Sequence, residues 1–439
     1  MDKITLAQAG KWLGREINDS RIIEKFVQES QLVSPGDLFF AIQGERVDGH
    51  AFLEEVARKG AIAAIVSTTY QGSNFGMYLI PVEDVIEALQ TLAKECFGFR
   101  KDKVIAVTGS VGKTTTKEFI ATLLAQKMRV AKTPGSINSQ VGLPLFILNC
   151  SEDVDCCVLE MGMSHPQEIA KLVEIAPPDI AVVTQIALAH AAFFPNGVED
   201  IARAKAEIFS HPKTQVGIIS AQAAHFDSIR NGGGCQKWIY GVEGCCLKMG
   251  DHGFQIVEGD ELSPIFTLPF IASHLCENFL AAAVVARKMG LSWEEIIQGA
   301  QLLKMQTNRF EIEERDGVTF LNDSYNANVA SMEAALKNLP RPKNGGKVIA
   351  VLGEMKELGA FSEECHKQVG IVALFCVDHL LCFGKECQPM MDLFVSEQKN
   401  VESFSSLEAL RSRVFEIAVA GDVVLLKGSN SNQLWKILS

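Results

Sequence analysis

Residues Thr108-Gly109-Ser110-Val111-Gly112-Lys113-Thr114 set two glycines, a lysine and three hydroxyls between an apolar run and an amphipathic one. The chemistry this spacing suits is anion binding. Glycines let the backbone approach an anion closely, and amides at a helix start point toward it. Lys113 can reach β and γ phosphates, and the Thr114 hydroxyl can bind magnesium. The common form of this loop carries a glycine five residues before Gly112, where this chain has Val107. The glycine here is Gly109, giving the shorter pattern Gly-x-x-Gly-Lys-Thr.

Other residues could complete such a site. Glu160 closes the apolar run Cys156-Cys157-Val158-Leu159. At the carboxyl end of a strand it could hold magnesium against a γ-phosphate, and the upstream loop favours that over a solvated glutamate. His190 stands among small apolar residues and reads either as a hydrogen-bonded core histidine or as a ligand. Lys205 shares a helical stripe with Ile201 and Ile208. It is either a snorkelling lysine or a desolvated amine available for chemistry or modification. Asn322-Asp323-Ser324-Tyr325-Asn326-Ala327-Asn328 is denser in polar groups than a turn and helix cap require, which favours ligand contact. Segments 353–359 and 426–430 repeat that placement and read either as ligand loops or as plain loops.

The elements that must position these residues alternate. Strand-like runs lie at 104–107, 156–159, 180–184 and 216–219, with helices at 117–128 and 199–209. Strands alternating with helices predict a parallel sheet with ligands beyond its carboxyl ends. Helices at 279–289 and 293–303 precede a hinge at 305–311. Beyond it, strands at 318–321, 348–352, 379–383 and 423–426 alternate with helices again. Ahead of the polar junction Lys101-Asp102-Lys103 lie strands at 38–42 and 61–66 around a short helix. The fold class is therefore α/β in three domains. A small mixed α/β domain spans 1–101, a central phosphate-loop ATPase domain with a mostly parallel sheet spans 102–308, and a Rossmann-like domain spans 309–439.

The length of 439 residues suits about three domains, and 47% apolar residues suit ample cores. A net charge of −12 argues against a nucleic-acid binder. The twelve cysteines form no Cys-x-x-Cys unit, so free thiols in a reducing cytoplasm are expected. No signal-peptide core and no membrane span are expected.

On these residues the chain resembles the Mur ligases. The resemblance runs over nearly the whole length. It rests on the loop from Thr108 to Glu118, on Ala204-Lys205-Ala206-Glu207-Ile208-Phe209, on the 322–328 segment and on Gly353-Glu354-Met355-Lys356-Glu357-Leu358-Gly359. The last two resemble the branch that adds D-alanyl-D-alanine, as do Pro35-Gly36-Asp37-Leu38-Phe39 and the 44–50 segment. The resemblance implies an ATP-dependent ligase acting through an acyl phosphate, with UDP-MurNAc-tripeptide and D-Ala-D-Ala as partners. It implies ATP contacts from Thr108, Gly109, Ser110, Val111, Gly112, Lys113, Thr114, Thr115, Asn278, Arg309 and Asp323. Thr114 and Glu160 would hold one Mg2+, while His190 and a carbamate on Lys205 would hold a second. Lys113, Glu160, His190 and Lys205 would be the catalytic set. Arg46, Asn138, Ser139, Tyr325 and Asn326 would meet the substrates. A monomer in the cytoplasm, without nucleic-acid or membrane partners, is the expected form. Ser139 stands where relatives often have a second Asn, and Ala191-Ala192-Phe193-Phe194-Pro195 departs from the usual segment after His190. Rival readings are another Mur ligase, a folylpolyglutamate synthase-like ligase and a phosphate-loop ATPase switch.

Overall fold

The structure, a computed structural model, describes residues 4–44, 47–151, 153–189 and 191–439. Near the amino end, β1 (Phe26–Val27), β2 (Leu38–Phe40), β3 (Ala63–Ser67) and β4 (Tyr78–Val82) form a parallel sheet in that order. The helix Val85–Phe97 starts at Asp84, whose carboxylate accepts from the Ile86 and Glu87 amides. Its buried face, with Leu89, Leu92 and Ala93, packs toward the helix Gly142–Asn149 of the next module, so the first two modules share one apolar cluster.

The central sheet comprises β5 (Lys103–Thr108), β6 (Val130–Lys132), β7 (Cys156–Glu160), β8 (Ile180–Val183), β9 (Val216–Ser220) and β10 (Gln236–Tyr240). All its pairs are parallel, in the order β10-β9-β8-β5-β7-β6. Val104, Ile105, Ala106 and Val107 are fully buried, as expected of a strand covered on both faces. After β5 the chain pairs β7 on one flank and β8 on the other. The carboxyl end of β5 is thus the point where the strand order reverses, the usual place for a ligand. An antiparallel sheet of β11 (Cys245–Gly250), β12 (Gly253–Glu258) and β13 (Glu261–Leu262) follows. The helix Ser273–Lys288 then packs along the helix Lys113–Leu124, its small buried Ala281, Ala282 and Ala283 permitting close approach.

The last module is a sheet of β14 (Glu311–Arg315), β15 (Val318–Asn322), β16 (Val348–Gly353), β17 (His379–Phe383), β18 (Asn400–Phe404) and β19 (Val423–Lys427). Its order is β14-β15-β19-β16-β17-β18, with only the β14–β15 hairpin antiparallel. The carboxyl ends of β15, β16 and β19 carry the segments after Asn322, Gly353 and Lys427.

Several expected bounds shift, among them the helix expected at 293–303, which ends at Ala300. The helix after the phosphate loop begins at Lys113, not Lys117, and ends at Leu124. Three consecutive β-branched threonines are weak helix formers, but Gly112 at φ 86 turns the loop directly into the helix. The helix expected at 279–289 begins six residues earlier, at Ser273. Glu311, read as part of a hinge, opens β14 instead.

Candidate active site

The loop between β5 and the helix Lys113–Leu124 is locked from below. The Thr184 hydroxyl donates to Thr108 O at 3.1 Å and to Val111 O at 2.6 Å. The Ser110 amide and hydroxyl donate to Gln185 O at 2.7 Å and Ala187 O at 2.8 Å. Both glycines are required sterically. A Cβ on Gly109 would strike the Thr184 hydroxyl, and one on Gly112 would strike the Asn278 amide. The Thr116 hydroxyl donates to Asn278 Oδ1 at 3.3 Å.

Above the loop is a cleft of about 510 Å³ between the central and last modules. Gly109, Ser110, Val111, Gly112, Lys113, Thr114, Thr115, Asn138, Ser139, Glu160, Lys205, Asn278, Arg309, Asp323, Tyr325 and Asn326 line it, so most of the sequence-derived candidates converge. Thr108 stays behind the wall, its buried hydroxyl oxygen without a hydrogen-bond partner. His190 and Arg46 lie outside the described residues.

Glu160, 1% exposed, ends β7 opposite Val107 of β5. Its Oε1 accepts from Asn138 Nδ2 at 2.7 Å, and its Oε2 has no hydrogen-bond partner. Thr114 Oγ1 lies 3.2 Å from Ser136 Oγ, and both accept from Arg309 Nη2 at 3.0 Å. One carboxylate oxygen with unused lone pairs in the same cleft as a threonine hydroxyl suits a small hard cation whose other ligands are phosphate and water. Among the described residues no three His, Cys, Asp or Glu side chains gather as a metal site.

Lys205 is 2% exposed on the helix Val198–Ala206, and no described residue hydrogen-bonds its amine. Burial pushes its pKa well below the usual lysine value; Lys113 pushes the same way and Glu160 opposes. Burial also lowers Lys113, which donates to Gly109 O at 2.8 Å.

The last module closes the cleft. Asp323 accepts from the Phe310 amide at 3.1 Å and from Lys427 Nζ at 2.5 Å. Lys427, itself buried, also donates to Asn326 O at 3.1 Å. The Arg309 guanidinium lies 4.1 Å from the Tyr325 ring centroid, and Asn328 Nδ2 reaches Ser110 O at 3.5 Å. His274 lines the cleft with an unpartnered Nδ1, and burial pushes its pKa down to about 4. Sequence reasoning missed Lys117, Ser136, His274 and Lys427. Lys117 left a signal: a lysine one turn after Lys113, followed by the apolar Phe119 and Ile120. Lys427 left one too, ending an apolar strand.

Fold and cleft together define a phosphate-loop protein whose second α/β module closes over the loop. The chain matches the models of the Mur ligase family catalytic domain over residues 27–96, the Mur ligase middle domain over 107–286 and the Mur ligase glutamate ligase domain over 308–430. It is 32% identical to the UDP-N-acetylmuramoyl-tripeptide–D-alanyl-D-alanine ligase of Bacillus subtilis, covering 96% of this chain and 93% of that one. Identity to the enzyme of the same name from Synechocystis is 34%, over 96% and 92%. The crystal structure of MurF ligase from Thermotoga maritima in complex with ADP superposes with a TM-score of 0.79 at 31% identity, covering 94% and 96%. The chain belongs to the Mur ligase family.

Proposed function

We propose that the chain joins UDP-MurNAc-tripeptide to D-Ala-D-Ala by an amide bond at the expense of ATP, giving UDP-MurNAc-pentapeptide, ADP and phosphate. The observation that carries this reading is full-length similarity to ligases so named, on a chain that keeps the phosphate loop and the facing module. Residues 1–101 would hold the nucleotide sugar, 102–308 the ATP, and 309–439 the dipeptide. The reaction would take place in the cytoplasm.

The tripeptide's terminal carboxylate oxygen attacks the γ-phosphorus, and the bond to the bridging oxygen breaks. That leaves an acyl phosphate and ADP. The dipeptide amine then attacks the acyl carbon, the carbon–oxygen bond breaks, and phosphate leaves as the amine loses a proton. Two anions must meet in the first step. Loop amides and Lys113 offset the charge on the transferring group. Glu160 and Thr114 fit one magnesium ion, and a Lys205 carbamate with His190 would hold a second; such ions neutralise phosphate charge. Asn278, Arg309 and Asp323 would orient the nucleotide. Asn138, Ser139, Tyr325 and Asn326, with Arg46, would meet the substrates. Holding the amine against the acyl carbon supplies much of the remaining acceleration.

The test is phosphate release from ATP, with the nucleotide-sugar product followed by mass spectrometry. Release should require both UDP-MurNAc-tripeptide and D-Ala-D-Ala, and the product should carry the dipeptide mass. Rapid ATP hydrolysis indifferent to both would overturn the ligase reading in favour of a nucleotide switch.

A further inference from the structure

Lys117 is 0% exposed in the helix Lys113–Leu124, yet the reaction above gives it no task. Its ammonium donates to Thr133 O at 2.5 Å and to Gly135 O. It stands 3.2 Å from Glu118 Oε1 and 3.9 Å from Glu160 Oε2. Glu118 in turn pairs with Lys132. Charges therefore alternate from Lys132 through Glu118 and Lys117 to Glu160, running from surface to cleft.

The spacing at the inner end matters. Glu160 Oε2 is buried and accepts no hydrogen bond. A buried carboxylate oxygen with neither bond nor counter-charge is strongly disfavoured. A lysine at full hydrogen-bond contact would consume the lone pairs a cation needs. At 3.9 Å, Lys117 compensates the charge and leaves the lone pairs free. The same ammonium pins two carbonyls of the 133–138 loop, whose Ser136 faces Thr114 and whose Asn138 holds the other Glu160 oxygen. The Thr133 hydroxyl also accepts from the Glu160 amide at 3.1 Å.

We propose that Lys117 is a positioning residue for the nucleotide-bound cation, fixing the Glu160 carboxylate and the 133–138 loop while leaving Oε2 free to ligate. This rests on the reading of Glu160 as a cation ligand.

Manganese in place of magnesium reports binding directly, as free Mn2+ measured by electron paramagnetic resonance in the presence of ADP and the full-length chain. Lys117→Gln should weaken Mn2+ binding to the ADP complex by roughly 10–100-fold, the usual effect of losing a residue that supports a ligand. ADP affinity without metal should persist. In a Glu160→Gln background, Lys117→Gln should cost nothing further. Unchanged binding overturns the proposal. Tighter binding does too, because that is what removal of a repelling charge alone would give, and so does full additivity with Glu160→Gln. If neither Lys117→Gln nor Lys117→Met folds, Lys117 belongs to the core and the proposal also falls. If the unaltered chain binds no Mn2+ with ADP, the Glu160 reading itself fails, which separates the two.

Discussion

Lys113 and Lys205 are two amines buried beside one carboxylate, and they cannot both stay protonated cheaply. Lys113 has Glu160 in its favour and a loop carbonyl to bond. Lys205 has no hydrogen-bond partner among the described residues and is disfavoured as a cation by burial first and by Lys113 second. A neutral amine is a nucleophile toward carbon dioxide; the carbamate that forms is an anion and releases a proton. We expect 13C-bicarbonate to give a carbamate resonance that is absent in Lys205→Ala. Because the proton competes with carbon dioxide, the resonance should fade as pH is lowered. An unaltered chain that gives no such resonance, and whose ligation ignores bicarbonate, would remove the carbamate from the site. For Lys113, loss of the charge at the loop in Lys113→Ala should cut ATP-dependent ligation by about 10²–10³-fold or more with the fold retained. Steady-state turnover and circular dichroism check the two halves of that statement. Both lysines were legible in the sequence, one from loop spacing and the other from its apolar stripe. Lys427 was legible only as the end of an apolar strand, because its partner Asp323 is 104 positions away.

At the scale of elements, the segment after β16 is held by side chains from outside it, Ser429 on one side and His366 on the other. His366, 0% exposed on the helix Ser362–Cys376, accepts the Met355 amide on Nε2 at 3.0 Å, and its Nδ1 lies 2.7 Å from Ser362 O. Burial keeps its pKa below the ordinary value, and the Ser362 carbonyl, Glu386 and Glu354 only partly oppose this. Neutral in the fold, it takes up a proton more readily once unfolded. Its stabilising contribution is therefore complete above about pH 6.5 and is lost as pH falls through the lower folded value. Denaturant midpoints should drop between pH 7 and pH 5, and His366→Leu should flatten that slope. The same variant should cost about 1–3 kcal/mol at pH 7, where the Met355 amide loses its acceptor. An identical slope in both proteins would exclude His366 as the acid-sensitive group. The sequence marked residues 353–359 as a polar loop after a strand but gave no hint of this pin. Apolar strands and their parallel pairing were legible because covered strands read as continuous apolar runs. Helix starts were less so, since Gly112 overrides the poor propensity of the threonines after it.

For the whole molecule, the question is what keeps the last module against the phosphate loop. The root of the contact is apolar, where Phe310 packs with Ala272 and Leu275. Beyond that root the described bonds are polar and few. Arg309 reaches Thr114 and Ser136, Asn328 reaches Ser110, and the Ala192 and Ser273 amides donate to Glu357 O and Asn338 Oδ1, each at 3.2 Å. Bonds of this kind contribute about 0.5–1.5 kcal/mol each, and about 1.5–3 where the Arg309 charge takes part, so together they add several kcal/mol to the apolar root. Opening the cleft to admit substrates means breaking these bonds. Arg309 makes the shortest of these bonds to the central module, and it comes from the joint itself. Arg309→Ala should therefore enlarge the radius of gyration in small-angle scattering without nucleotide, and ADP should shrink it less than in the unaltered chain. ADP affinity should fall by about tenfold, equivalent to losing about 1.4 kcal/mol from one charge-assisted bond. Identical scattering curves together with identical ADP affinity would mean that the module is held by its apolar root alone. Closure would then have to be driven by the substrates rather than by contacts already made within the chain.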